Sequence, residues 1–97
     1  MKVCLASLFL LIAILLSSAP ASATTREWGY DRPGMDYFNF VIEDNRVVHC
    51  EWKCMQDRRC KAWTFVKPGY QGQYSRCWLK HSVPRLVRNN CCDSGTP

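Results

Sequence analysis

The most apolar part of the chain is its beginning, where Leu5 to Leu16 is interrupted only by Ala6, Ser7 and Ala13. Lys2 precedes this run, and Ser17-Ser18-Ala19-Pro20 leads on to Ala21-Ser22-Ala23. A positive end, an apolar run and a small-residue A-x-A site form the order that signal peptidase reads. The run is also shorter than the ~20 apolar residues a membrane-crossing helix needs. The pattern predicts a cleaved leader over residues 1–23, which removes Cys4, and a mature domain over residues 24–97.

Beyond the leader the period of the apolar positions changes. Thr24 to Arg26 read as a loose lead-in, and Trp28 to Gly34 as turn-rich, with Pro33-Gly34 a break. Met35 to Ile42 alternates Phe38, Phe40 and Ile42 against Tyr37, Asn39 and Val41, which predicts a strand. Glu43-Asp44-Asn45 offers side-chain caps for a following helix. Val48, Trp52 and Met55 then fall at helical spacing, as do Cys50 and Cys54, which predicts a helix over residues 47–57. Lys61 to Val66 and Ser75 to Lys80 read as a hairpin around a glycine-bearing loop. Pro84 breaks the next stretch, and Asn90 to Thr96 reads as a short final strand. The predicted fold class is α+β, with one helix on a small antiparallel sheet.

Composition adds the staples. A mature chain this small rarely draws more than about 3–5 kcal/mol from its core alone. It holds six cysteines, Cys50, Cys54, Cys60, Cys77, Cys91 and Cys92. With an export signal, that even number in a short chain predicts a disulfide framework and a secreted or periplasmic location. The economical pairing joins Cys54 to Cys60 at the helix end and Cys50 to Cys77 between helix and hairpin. Six cysteines allow 15 connectivities, and spacing does not choose among them. Cys91 and Cys92 are open to a vicinal bond, a bond to a second chain or another internal pairing; Cys91-Cys92 is the expectation carried forward.

The ordered set of fragments carries more than the spacing. Cys50-x-x-x-Cys54, Asp57-Arg58-Arg59-Cys60-Lys61-Ala62-Trp63-Thr64-Phe65-Val66, Cys77-Trp78-Leu79-Lys80 and Cys91-Cys92-x-Ser94-Gly95 resemble a PAN/apple domain. Asp31-Arg32-Pro33-Gly34-Met35-Asp36-Tyr37 and Phe40 are similar to the bacterial branch of that family. The resemblance implies a helix cradled by a curved antiparallel sheet, with disulfides Cys50–Cys77 and Cys54–Cys60. It also implies a non-catalytic recognition module for carbohydrate or for an extracellular or envelope protein. The chain departs from apple domains proper in lacking a cysteine before Cys50 in the mature part, so their outer disulfide has no counterpart.

Charge and the remaining chemistry narrow the functional reading. Removing Lys2 leaves 12 basic and 8 acidic residues, a formal +4, which permits an anionic polysaccharide without demanding one. His49 and His81 stand near cysteines, but the spacing suits disulfides rather than zinc, and no metal or cofactor is expected. No Walker loop, H-E-x-x-H or G-x-S-x-G occurs, and nothing nominates an active site. Neither nucleic acid nor stable membrane insertion after leader removal is expected. The competing class is a basic, disulfide-rich effector, toxin-like or antimicrobial, acting on membranes; interspersed acids weigh against it.

Strand alternation nominates a binding face. With Cys77 towards the helix, Arg76, Trp78 and Lys80 point the other way. A hairpin centred near Tyr70-Gln71 pairs them with Phe65, Trp63 and Lys61, which predicts an outer platform of Trp63, Phe65 and Trp78 edged by Lys61, Arg76 and Lys80. Such a platform suits stacking on sugar rings. The competing expectation is a second core layer covered by the N-terminal segment or the C-terminal tail. A one-residue change of register moves every one of these side chains to the other face.

Overall fold

A computed structural model describes residues 24–97; the leader expected over residues 1–23 lies outside the described residues. Five strands and one helix follow one another as β1 (Thr25–Asp31), β2 (Asp36–Ile42), α1 (Val47–Met55), β3 (Ala62–Val66), β4 (Ser75–Lys80) and β5 (Val87–Thr96). The strands form one antiparallel sheet in the order β1-β5-β3-β4-β2. Among the described residues no helix is long and apolar enough to cross a membrane.

The helix is short and depends on its bonds to the sheet. Cys50 and Cys54, one turn apart, are its two buried residues. They are joined to Cys77 on β4 and to Cys60 beyond the helix end. The sulfurs thus choose the buried face, and the Trp52 and Met55 stripe at helical spacing is left exposed. The expected caps act differently as well. Asp44 Oδ1 accepts from the Arg46 N–H and Oδ2 pairs with the His49 ring, while Arg46 is the N-cap and makes no side-chain cap bond. Asn45 takes the left-handed conformation at φ 58° and its Oδ1 accepts from Ser75 N–H, tying the turn to β4.

Under α1 lies a core of Ile42, Trp63, Phe65 and Leu79 with four of the cysteines, edged by Tyr37, Phe40 and Val47. Trp63 is fully buried, at 0 % exposure. Its indole lies so close to β5 that a Cβ on Gly95 would overlap both the ring and the Thr25 carbonyl.

Two further features depart from the sequence reading. Residues 25–31, read as lead-in and turn, form the edge strand β1 on β5, and Arg26 reaches Glu51 on α1 through paired bonds of 2.8 and 3.2 Å. The β3–β4 register also differs from the expected pairing. Trp63 stands opposite Leu79, Phe65 opposite Cys77, and Thr64 opposite Trp78. Trp63 and Phe65 therefore face the helix, and Ala62, Thr64 and Val66 share the outer face with Arg76, Trp78 and Lys80. The loop over residues 67–74 is long enough to allow either phase; burial of the two largest aromatic side chains of β3 beneath α1 selects this one.

The chain from β1 to β2 joins opposite edges of the sheet. Four strand spacings amount to about 19 Å, whereas five residue steps reach only about 17–18 Å when fully extended. Residues 31–36 can close that distance only if the sheet curves towards them. They form a strap across the outer face, held by the Arg32 N–H on Thr64 Oγ1 at 3.3 Å and by Lys80 Nζ on the Gly34 carbonyl at 3.0 Å. Gly34 and Met35 both take positive φ, which turns the strap into β2.

Candidate functional site

The strap, the hairpin loop and an irregular stretch of β5 enclose a groove of about 420 Å³ on the outer face, opposite the helix. Thr64 and Val66 of β3 form its floor. Asp31, Gly34 and Asp36 of the strap close one end, and Tyr70 and Gln71 of the loop close the other. Trp78 of β4 stands on one side, and Asn89, Cys91 and Cys92 of β5 stand on the other.

Each wall has a local cause. Trp78 is half-buried, and its Nε1 donates to Gln71 Oε1 at 2.8 Å, which orients the indole against the groove. The β5 wall exists because the β1–β5 ladder slips. Two steps along β1, from Trp28 to Tyr30, match five along β5, from Asp93 to Arg88. The surplus residues bulge outwards, as extra residues in one strand of a ladder do. Gly29 fills the short side, its N–H donating to Asp93 Oδ1 at 2.9 Å. The bulge is tied back by Lys67 N–H on the Cys91 carbonyl at 2.8 Å, and it contains the vicinal disulfide Cys91–Cys92, whose Cα atoms are 3.7 Å apart.

The electrostatics differ from the basic rim read in the sequence. Lys80 is only 2 % exposed, and its ammonium is taken up by the Gly34 carbonyl and the Asp36 carboxylate. Asp31 Oδ1 accepts from Thr64 Oγ1 at 3.0 Å and still lines the groove. Lys80 is the single cation among the lining residues, against Asp31 and Asp36. Arg76 lies on the outer face but bonds to Asn39 Oδ1 on β2 and does not line the groove. Lys61 is exposed just before β3, its N–H spent on the Lys80 carbonyl. Of the five candidate residues, the structure brings Trp78 and Lys80 to the groove, leaves Arg76 and Lys61 outside it, and buries Trp63 under the helix.

The sequence reading missed Asp31, Asp36, Tyr70, Gln71 and Asn89 as groove residues. The Asp-Arg-Pro-Gly-Met-Asp run was visible, but its crossing of the sheet depends on strand order. A second hollow of about 400 Å³ at the free edge of β2 is lined by Phe40 to Asp44 and His49, with Glu43 beside the His49–Asp44 pair at 2.8 Å.

The largest proton shifts lie away from the groove, where α1 ends. Tyr37 donates to Asp57 Oδ2 at 2.9 Å, and Arg59 stacks 4.7 Å from the Tyr37 ring while donating to the same carboxylate. Burial, reinforced by Asp57, pushes the Tyr37 hydroxyl up to about 12. The hydrogen bonds from Arg59 hold Asp57 well below the usual carboxylate range. This cluster clamps the Cys54–Cys60 loop. Among the described residues no group of three or more His, Cys, Asp or Glu side chains is placed to hold a metal ion.

Comparison with known proteins bears on the same strands. No curated protein and no solved structure matches the chain. A family model described as the PAN domain matches residues 30–80, just over half of the chain. That stretch runs from the end of β1 to Lys80 and contains the strap, the helix, the hairpin and four of the disulfide cysteines, while β5 and the Cys91–Cys92 bulge lie beyond it. With one helix stapled to a curved antiparallel sheet, the chain belongs to the PAN domain family, whose members are commonly protein- or carbohydrate-binding modules and generally without catalytic activity.

Proposed function

We propose that this domain is an exported, secreted or periplasmic recognition module whose outer groove takes a neutral sugar residue of a glycan. The observation that carries the reading is Trp78, oriented by Gln71 and half-buried in a groove whose single cation is already neutralised by Asp36. An indole face packs against the C–H face of a sugar ring, and it loses little conformational freedom when already fixed. Asp31, Gln71 and Asn89 supply acceptors and donors of the kind that sugar hydroxyls need. The groove volume lies in the range of small-ligand sites, about 300–1,000 Å³. An anionic polysaccharide fits less well, because Asp31 and Asp36 outnumber Lys80 at the lining.

The test is binding of the protein to an array of neutral and anionic glycans at low and high salt. Binding to neutral glycans is expected to be indifferent to salt and to weaken about tenfold or more in Trp78→Ala, the loss of one stacked face. Binding restricted to anionic glycans and weakening with salt would overturn the neutral-sugar reading. Absence of any glycan binding would leave a protein as the partner.

A further inference from the structure

Cys92 and Trp78 stand on the two strands that flank β3, and both share the outer face. Trp78 is directly opposite Thr64, and Cys92 is directly opposite Val66. Two strand spacings set them about 9–10 Å apart across the sheet and the two-residue offset from Thr64 to Val66 adds about 7 Å along it, a diagonal of about 12 Å. A ring held at carbon contact distance from each wall, about 3.5–4.0 Å on either side, needs about 7–8 Å. The diagonal leaves room for one ring over Thr64 and Val66 once the two side chains are placed, with an indole on one side and a disulfide on the other. A disulfide within a bulge is a compact, polarisable apolar surface, and it adds to those of Val66, Tyr70 and Trp78 in the lining.

The cysteines differ in access. Cys50, Cys54, Cys60, Cys77 and Cys92 are between 0 and 3 % exposed, whereas Cys91 is only half-buried and lines the groove, so access to the adjacent pair is through Cys91. We infer that the Cys91–Cys92 disulfide is the second wall of the ligand site, clasping a neutral sugar ring against Trp78, so that reducing this one bond releases the sugar while the domain stays folded. This rests on the neutral-sugar reading of the groove. The wall is held out by the disulfide and anchored at Lys67 through the Cys91 carbonyl. With the bond opened, Cys91 and Cys92 become independent thiols, and the Asn89–Cys92 bulge is free to repack against β1.

The step is ordinary thiol–disulfide exchange with a small dithiol as reductant. A dithiol thiolate attacks Cys91 Sγ, the bond to Cys92 breaks, and Cys92 Sγ leaves with the electron pair and takes up a proton. The second dithiol sulfur then displaces Cys91 Sγ, which is protonated in turn, and the reagent closes its own disulfide. Two electrons and two protons have passed to the protein. Exchange requires access to a sulfur, which the helix and sheet deny to the other two staples.

The experiment uses the full chain, expressed into an oxidising compartment, and a panel of glucose, galactose and N-acetylglucosamine oligosaccharides. Binding is measured for the oxidised protein, for protein treated briefly with a dithiol, and for Cys91→Ser/Cys92→Ser. An alkylated aliquot maps by mass which cysteines opened, and near-ultraviolet circular dichroism reports the fold. The expected result is alkylation at Cys91 and Cys92 alone, an unchanged dichroism spectrum and binding weakened about tenfold or more in both reduced and substituted forms. Reoxidation restores the binding. Equal binding before and after reduction overturns the inference and leaves the neutral-sugar reading standing. Opening of Cys50–Cys77 or Cys54–Cys60 together with Cys91–Cys92 overturns it too. If the oxidised protein binds no member of the panel, both readings fall together.

Discussion

The two faces of the one sheet are both largely closed to water, yet they are built from opposite chemistry. On the helix side Trp63, Phe65, Cys77 and Leu79 pack against α1, the Cys50–Cys77 disulfide crosses the interface and Cys54–Cys60 closes the helix end. On the strap side Thr64 and Ser94 lie at 2 % and 0 % exposure and are satisfied by hydrogen bonds, Ser94 Oγ donating to the Tyr30 carbonyl at 2.6 Å. The inner face supplies stability in proportion to its buried area, less the cost of the Trp63 Nε1–H, which is buried there without a partner. On the outer face the Thr64 hydroxyl and the Lys80 ammonium are satisfied by the strap and the Ser94 hydroxyl by β1, and the part that the strap leaves uncovered is the groove. Burial by itself does not separate core from site in this domain; the nature of the cover does.

Paired aromatic substitutions break the comparison most sharply. Trp63→Ala removes a fully buried indole and is expected to cost about 3–5 kcal/mol in urea unfolding. Trp78→Ala is expected to change stability by less than about 1 kcal/mol, because the indole is half-exposed. Equal costs would mean that both faces are core.

The staples grade in the same way. Cys50–Cys77 closes a 27-residue separation and Cys54–Cys60 one of 6. Chain entropy assigns them about 3–4 and about 2 kcal/mol, and the adjacent pair about 1 kcal/mol or less. Urea unfolding of the three paired Cys→Ser variants is expected to follow that order. A large loss for the Cys91–Cys92 pair would show that the bulge supports the fold rather than the groove.

Gly95→Ala sharpens the comparison at the seam between β5 and the inner core. The added Cβ meets the Trp63 indole and the Thr25 carbonyl, and the expected cost is about 1–3 kcal/mol. Thermal unfolding of this variant beside an Asn89→Ala control, expected to be near neutral, separates the packed part of β5 from its bulge.

The smallest effect is the pH response of the clamp at the helix end. Asp57 titrates lower in the folded chain than the usual ~4. Its contribution is therefore present above pH ~4 and fades as the pH falls towards the folded value. Tyr37 is raised instead, so its contribution is full below pH ~10 and fades as the pH rises towards about 12. Unfolding curves for Asp57→Asn are expected to lose part of the acid slope, and those for Tyr37→Phe part of the alkaline one, with binding unaffected. A change of glycan binding in either variant would extend the site beyond the groove.

Much of this molecule was legible in its residues. The 3.6 and 2 periods located β2, α1, β3 and β4, and the order of cysteine fragments pointed to the PAN fold. The edge strand β1 was not legible, because Gly29 and the charged residues around it alternate poorly, and its partner β5 is itself rich in Asn, Asp, Ser and Gly. These two strands are held by their fit at Gly95, by Arg26 on Glu51 and by the Gly29–Asp93 bond, all of them contacts between residues far apart in sequence.

For the candidate site the division is sharper. Trp78 and Lys80 were found from alternation relative to Cys77, a local and period-2 inference that holds on any strand. Trp63 was misplaced because alternation has no absolute phase across the 67–74 loop; only packing of two aromatic rings beneath α1 chose the register. Charge was mistaken for the same reason: a lysine reads as a free cation until a strap brings Asp36 and the Gly34 carbonyl to its ammonium. Periodicity and cysteine spacing are properties of neighbouring residues, so the sequence alone determined β2, α1, β3, β4 and the family. Register, strand order and the Lys80–Asp36 pair join residues from 10 to 71 positions apart, and only the closed tertiary structure decided them.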